Sequence, residues 1–236
     1  MTPASSSNII IHDSFYSQED LKKMLSFCET QNTWSSSTFY RNGKVENYSD
    51  QKTNFYNASP EVLNLFTNAL GLVKNQIEWS YGSRVVPKKS EAIRKWSPGE
   101  YQEVHADNEH ANGRFLSLQY VTDQNQEFEE LEDSLPNDFV DYSSVFYIND
   151  NYTGGELFFP EYDITIKPKA GNFITWPSNA KYMHGVTNVV DGYRYTIPSM
   201  WYSEKAVLLN SIKSFKYARN IAEENYSNKF VKTSLL

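Results

Sequence analysis

The chain has 236 residues, a formal net charge of −7 and one cysteine. A single cysteine excludes an internal disulfide and a cysteine-based zinc site, and the acidic balance argues against a mainly electrostatic grip on nucleic acid. The length suits one β-rich domain with a full core, and 17 tyrosines and 14 phenylalanines suit strands and an aromatic-lined cleft.

Residues 1–8 read as a polar tail without a basic region or a long apolar run. Ser17-Gln-Glu-Asp20 reads as a capping box that opens a helix, with Leu21, Met24, Leu25 and Cys28 at helical spacing behind it. Residues 35–55 are polar and aromatic and predict a strand pair or a meander. Ser59-Pro60-Glu61 opens a second helix: a cap, then proline at the first helical position. Its apolar face, Val62, Phe66, Ala69, Leu70, Val73 and Ile77, carries it to about Trp79.

From Glu91 the period falls to about two. Strands are predicted at residues 91–104, 114–121, 144–148, 156–159, 164–166, 173–176, 185–190 and 193–201, with glycine, proline and asparagine turns between them. Many short strands with long-range return indicate a jelly roll, two facing sheets that form a mouth. Residues 123–141 interrupt the pattern. This acidic stretch is either a solvated insertion or a flap over the cleft, and a flap would favour neutral or basic peptides. A last helix is expected over about 210–225. The expected organisation is a single domain, mainly β with flanking helices (α+β). Residues 9–82 form a helical support, 90–202 the jelly-roll core with its insertion, and 203–236 a C-terminal helix. No apolar stretch approaches ~18 residues, so no membrane partner is expected.

The chemistry concentrates in His105-Ala-Asp107. On a strand, an imidazole and a carboxylate two residues apart share one face. His184 lies far enough along the chain for several strands to return to the same mouth. Two imidazoles and one carboxylate around a metal make the facial triad of non-haem Fe(II) oxygenases. The other histidines, His12 and His110, fall near the terminus and in a predicted loop. Arg194 follows His184 beyond an Asp191-Gly192 turn, on the next antiparallel strand. A guanidinium there can hold a dicarboxylate end-on, although taken alone it fits a surface ion pair better. Two histidines and a carboxylate also suit zinc, which leaves open a non-enzymatic jelly-roll module.

These pieces together resemble the 2-oxoglutarate/Fe(II)-dependent dioxygenases, and among them the prolyl 4-hydroxylase-like group. Gly99-Glu-Tyr-Gln-Glu-Val-His105-Ala-Asp107-Asn108 is similar to the strand that brings the first two iron ligands, with Arg114 and an apolar strand after it. Tyr147-Ile-Asn149 and Gly154-Gly-Glu-Leu-Phe-Phe-Pro160 resemble a paired family segment, as does Lys167-Pro-Lys-Ala-Gly-Asn-Phe-Ile. His184-Gly-Val, Gly192-Tyr-Arg194-Tyr-Thr196 and Trp201 complete the likeness over residues 90–202. The resemblance implies His105, Asp107 and His184 as Fe(II) ligands, and Arg194 with Tyr147 at the distal carboxylate of 2-oxoglutarate. It further implies O2 as co-substrate, ascorbate as an accessory reductant, and peptidyl proline as the substrate. A small molecule, another amino acid or a nucleic acid on the same core is the alternative. Asp107, rather than a small residue, points to hydroxylation and not halogenation. The chain departs from the proline-hydroxylating pattern at Trp96 and Gln102, and Pro198 inside the Arg194 strand predicts a bulge. The expected place of action is the cytoplasm, or the host cytoplasm for a virus-encoded chain. Oligomeric state is not legible.

Overall fold

A short strand and two helices open the chain in the computed structural model, which describes residues 8–41, 44–88, 92–108 and 140–204. The predicted strand at 114–121, His110, nearly all of the 123–141 stretch and the helix at 210–225 lie outside the described residues. Strand β1 (Ile10–His12) precedes α1 (Gln18–Thr30). The Ser17 hydroxyl accepts from the Asp20 N–H at 3.1 Å and donates to the Asp20 carboxylate at 2.7 Å. The two side chains thus close a cap onto each other, a variant of the box in which the acid reaches back to a backbone N–H. After β2 (Ser35–Arg41) and β3 (Lys44–Thr53) comes α2 (Pro60–Tyr81), capped by Ser59 and stopped by Gly82 in the left-handed region at φ 63°. Phe66, Ala69, Val73 and Ile77, spaced three or four apart, are its buried stripe. No helix among the described residues is long and apolar enough to cross a membrane.

The remaining strands are β4 (Val85–Pro87), β5 (Ile93–Trp96), β6 (Gln102–His105), β7 (Tyr142–Tyr147), β8 (Thr153–Gly154), β9 (Leu157–Phe159), β10 (Ile164–Ile166), β11 (Phe173–Pro177), β12 (His184–Val186), β13 (Val189–Asp191) and β14 (Arg194–Ser203). They build an antiparallel sheet ordered β1-β11-β7-β14-β5-β3-β2, with β4 also on β14, and a smaller sheet ordered β10-β9-β12-β6. β8 and β13 form a two-stranded ribbon. This is the jelly roll expected from the strand pattern. Alternation along the central strands separates two cores. Phe146, Phe173 and Ile197 face the helices, against Met24, Phe66 and Ile77. Tyr147, Ile174 and Trp176 face the small sheet, against Leu157, Phe159 and Val186.

Three strand expectations are corrected. The predicted strand over 185–190 is two strands, β12 in the four-stranded sheet and β13 in the two-stranded ribbon with β8. The predicted strand over 91–104 is two strands in different sheets, β5 in the large one and β6 in the small one. Gly99, at φ 90°, turns the chain between them, with its N–H held by the Val189 carbonyl at 2.8 Å. The bulge expected at Pro198 is absent. β14 pairs with β7 in unbroken register from Thr196 to Trp201, Pro198 opposite Val145. On its other edge β14 pairs with β5 through Arg194–Thr196 and with β4 through Trp201–Ser203. Pro198 falls between those two stretches, where its missing N–H interrupts neither ladder.

Candidate active site

β6 and β12 lie side by side with His105 directly opposite His184. Their rings stand 4.4 Å apart between centroids. Asp107 corrects the one-face picture: β6 ends at His105, and the carboxylate sits in the turn beyond it. That turn is anchored by the Asn108 N–H on the Ser178 carbonyl at 3.3 Å. The carboxylate still reaches both rings, with one oxygen 3.6 Å from His105 Nε2 and the other 3.5 Å from His184 Nε2. One ligand atom from each of the three residues lies within 4.8 Å of the others.

Both imidazoles are oriented through their second nitrogen. His105 Nδ1 lies 2.9 Å from the Glu103 carbonyl, and His184 Nδ1 lies 3.0 Å from the Tyr182 carbonyl. A carbonyl accepts only, so each Nδ1 carries the proton; His184 Nε2 is left facing the Asp107 carboxylate, while His105 Nε2 also meets the Gln102 side-chain amide at 3.1 Å. Trp176 packs edge-on against His184 at 4.7 Å and Phe159 lies at 5.6 Å. Burial pushes the His184 pKa down to about 4, with the Asp107 charge pulling the other way and His105 adding to the fall. The ring is therefore neutral at neutral pH, the form a metal binds. Burial opposes the Asp107 charge, but the two imidazoles and the Ser143 hydroxyl outweigh it and hold the carboxyl well below the usual range.

Across the cleft stands Arg194, at 2 % exposure. Its guanidinium donates to the Tyr147 hydroxyl at 3.3 Å and lies over the rings of Trp96 and Tyr147 at 5.3 and 5.1 Å. No carboxylate among the described residues pairs with it, and its Nε–H has no partner. Burial raises the Tyr147 pKa against the opposing pull of Arg194, so the phenol keeps its proton. A buried, unpaired guanidinium is costly unless an anion completes it. Arg194 lines the same cleft as His105, Asp107 and His184. Two imidazoles, a carboxylate and a facing cation fit a divalent iron and a dicarboxylate together.

Four of the five predicted site residues thus line one cleft, and the fifth, Tyr147, is buried and accepts from Arg194. His12 is elsewhere, stacked on Phe173 at 4.4 Å with Nε2 3.2 Å from Thr175 Oγ1. Sequence reasoning missed the support of Asp107: Ser143 hydrogen-bonds it and shares a 2.7 Å hydroxyl pair with Ser178. Alternation along β7 was the available signal, since Ser143 and Val145 line the cleft and Tyr147 joins the same inter-sheet core.

Residues 90–203 match the model of the 2OG-Fe(II) oxygenase superfamily. The jelly roll and the donor set carried on it agree with that match. Over 70 residues the chain is 39 % identical to human prolyl 3-hydroxylase 2, a match covering 28 % of this chain and 10 % of that protein. The match thus spans about a tenth of the length of these curated relatives. Its fold is similar to a Trichoplax adhaerens prolyl hydroxylase solved with a hypoxia inducible factor peptide fragment. The TM-score is 0.61 at 14 % identity, over 86 % of this chain and 87 % of that one. It is also similar to the viral collagen prolyl hydroxylase of Paramecium Bursaria Chlorella virus-1 solved with 2OG. There the TM-score is 0.55 at 15 % identity, over 82 % and 95 %.

Proposed function

We propose that the chain hydroxylates prolyl residues in peptides, using Fe(II), 2-oxoglutarate and O2. His105, Asp107 and His184 hold the iron. Arg194 and Tyr147 bind the far carboxylate of 2-oxoglutarate, and the tyrosine hydroxyl adds a neutral donor to the cation. When bound, the metal and the oxoacid supply the oxidation: 2-oxoglutarate loses CO2 and becomes succinate, one oxygen atom of O2 entering succinate and the other the substrate. The chain's own residues bind, orient and exclude water. Burial of His184 beneath Trp176 and Phe159 shields one flank of the cluster. Val145, Leu157, Val186, Pro198 and Met200 give the cleft apolar walls suited to a pyrrolidine ring.

The observation that carries this reading is the buried Arg194, without a carboxylate partner among the described residues, in the cleft that holds the three ligand atoms. A zinc-holding structural module gives that cation no task. The test is incubation with Fe(II), 2-oxoglutarate and a panel of proline-containing peptides. Expected are succinate and one added oxygen per modified proline by mass spectrometry, with amino-acid analysis placing it at C3 or C4. Absence of succinate under all conditions, or oxygen added only to a free small molecule, refutes the proposal.

A further inference from the structure

We infer that Trp96 and Gly155 fix the place of the Arg194 guanidinium, and through it the length of dicarboxylate the cleft accepts. This rests on the role proposed for Arg194. On β5 and β14, Trp96 and Arg194 are direct cross-strand partners. The guanidinium carbon lies 5.3 Å from the Trp96 ring centre and 5.1 Å from that of Tyr147, so a flat cation is held between two aromatic walls. All three side chains are buried. Among aromatic residues tryptophan offers a cation the most attractive face, and the attraction grows as water is removed. It is the ring face that meets the cation, and the indole N–H has no hydrogen-bond partner among the described residues.

The stem of the arginine is confined from another side. A Cβ placed on Gly155 would stand 2.9 Å from Arg194 Cδ and 3.2 Å from both Tyr152 and Val189. Real side chains do not approach that closely, so the bare Gly155 backbone is one wall of the channel through which the stem passes. A free arginine, with its many rotatable bonds, would follow a ligand of any length. One gripped at stem and head sets a fixed span between its guanidinium and the His105–Asp107–His184 cluster, and a diacid longer by one methylene no longer fits it. Acting through Arg194, Trp96 and Gly155 are positioning residues.

The test is anaerobic calorimetry on the Fe(II)-loaded protein, titrated with 2-oxoglutarate and with 2-oxoadipate, alongside Fe(II) affinity. Trp96→Leu should weaken 2-oxoglutarate about ten- to thirtyfold. It should narrow the preference over 2-oxoadipate and leave Fe(II) affinity unchanged. Trp96→Phe, which keeps a ring face, should restore most of both. Gly155→Ala, which also strains a backbone at φ 67°, should reproduce the loss with the iron still bound. An unchanged 2-oxoglutarate affinity and preference in Trp96→Leu overturns the inference, as does a Trp96→Phe variant no better than Trp96→Leu, or a parallel loss of Fe(II). If Arg194→Ala itself leaves 2-oxoglutarate binding intact, the failure lies in the proposed role of Arg194, and the inference falls with it.

Discussion

Gly185→Ala should separate the two histidines without touching either. Gly185 follows His184 on β12, between β6 and β9. An added Cβ there would sit 2.8 Å from the Gln102 carbonyl on β6 and 2.7 Å from the Phe158 ring on β9. Ordinary contact begins near 3.4 Å, so the β6 backbone would have to retreat by about 0.6 Å. Phe158 can turn; a paired strand backbone yields less readily. β6 carries His105, and metal–ligand distances tolerate only about 0.2 Å of error. The expected result is a fall in Fe(II) affinity on the order of ten- to a hundredfold, similar to losing a residue that orients a ligand. A loss of about 1–3 kcal/mol in stability from overpacking should accompany it. Anaerobic Fe(II) titration and chemical denaturation of the metal-free protein measure the two. A variant with wild-type iron affinity would refute the claim that β6–β12 spacing sets the triad.

Three further outcomes are expected. Asp107→Ala or His184→Ala should abolish succinate formation and Fe(II) binding while circular dichroism remains native; normal turnover in either removes both from the metal site. Burial lowers the His12 pKa from 6.5. The unfolded chain therefore takes up its proton first, and the folded state loses stability as pH falls below about 6.5. His12→Gln should reduce the slope of stability against pH on the acid side, and an identical slope would contradict this. Burial also raises the pKa of Cys28, which has no exposed surface. Its thiol should resist disulfide reagents in the native protein and react on unfolding, and fast native labelling would disprove the burial.

What the sequence made legible was mostly local. Ser17 and Ser59 announce helix starts because their caps act within three residues. β10 matches its predicted span because turns bound it on both sides. β1, β4 and β8 escaped because strands of two or three residues carry no period and exist through their partners. The break between β5 and β6 was hidden for a related reason. A proline-glycine turn signals a bend, whereas the move to another sheet depends on Val189, some ninety residues on. At the site, His105, Asp107 and His184 stood out through residue type and scarcity. The placement of Asp107 off the strand, and the hydroxyl pair beneath it, arise from the approach of β7 and the Ser178 turn, which no local pattern records.

The two halves of the proposed cosubstrate site stand on opposite layers. His105 and His184 belong to the four-stranded sheet, while Arg194 and Tyr147 belong to the eight-stranded one. An oxoacid held by the metal ligands at one end and by Arg194 at the other would be a removable cross-tie between them. Iron alone would brace one layer; iron with 2-oxoglutarate would brace the pair, and the stabilisation would grow with the logarithm of free ligand once sites fill. The chain's resistance to proteolysis would thereby become a gauge of how much oxoacid surrounds it, independent of any turnover.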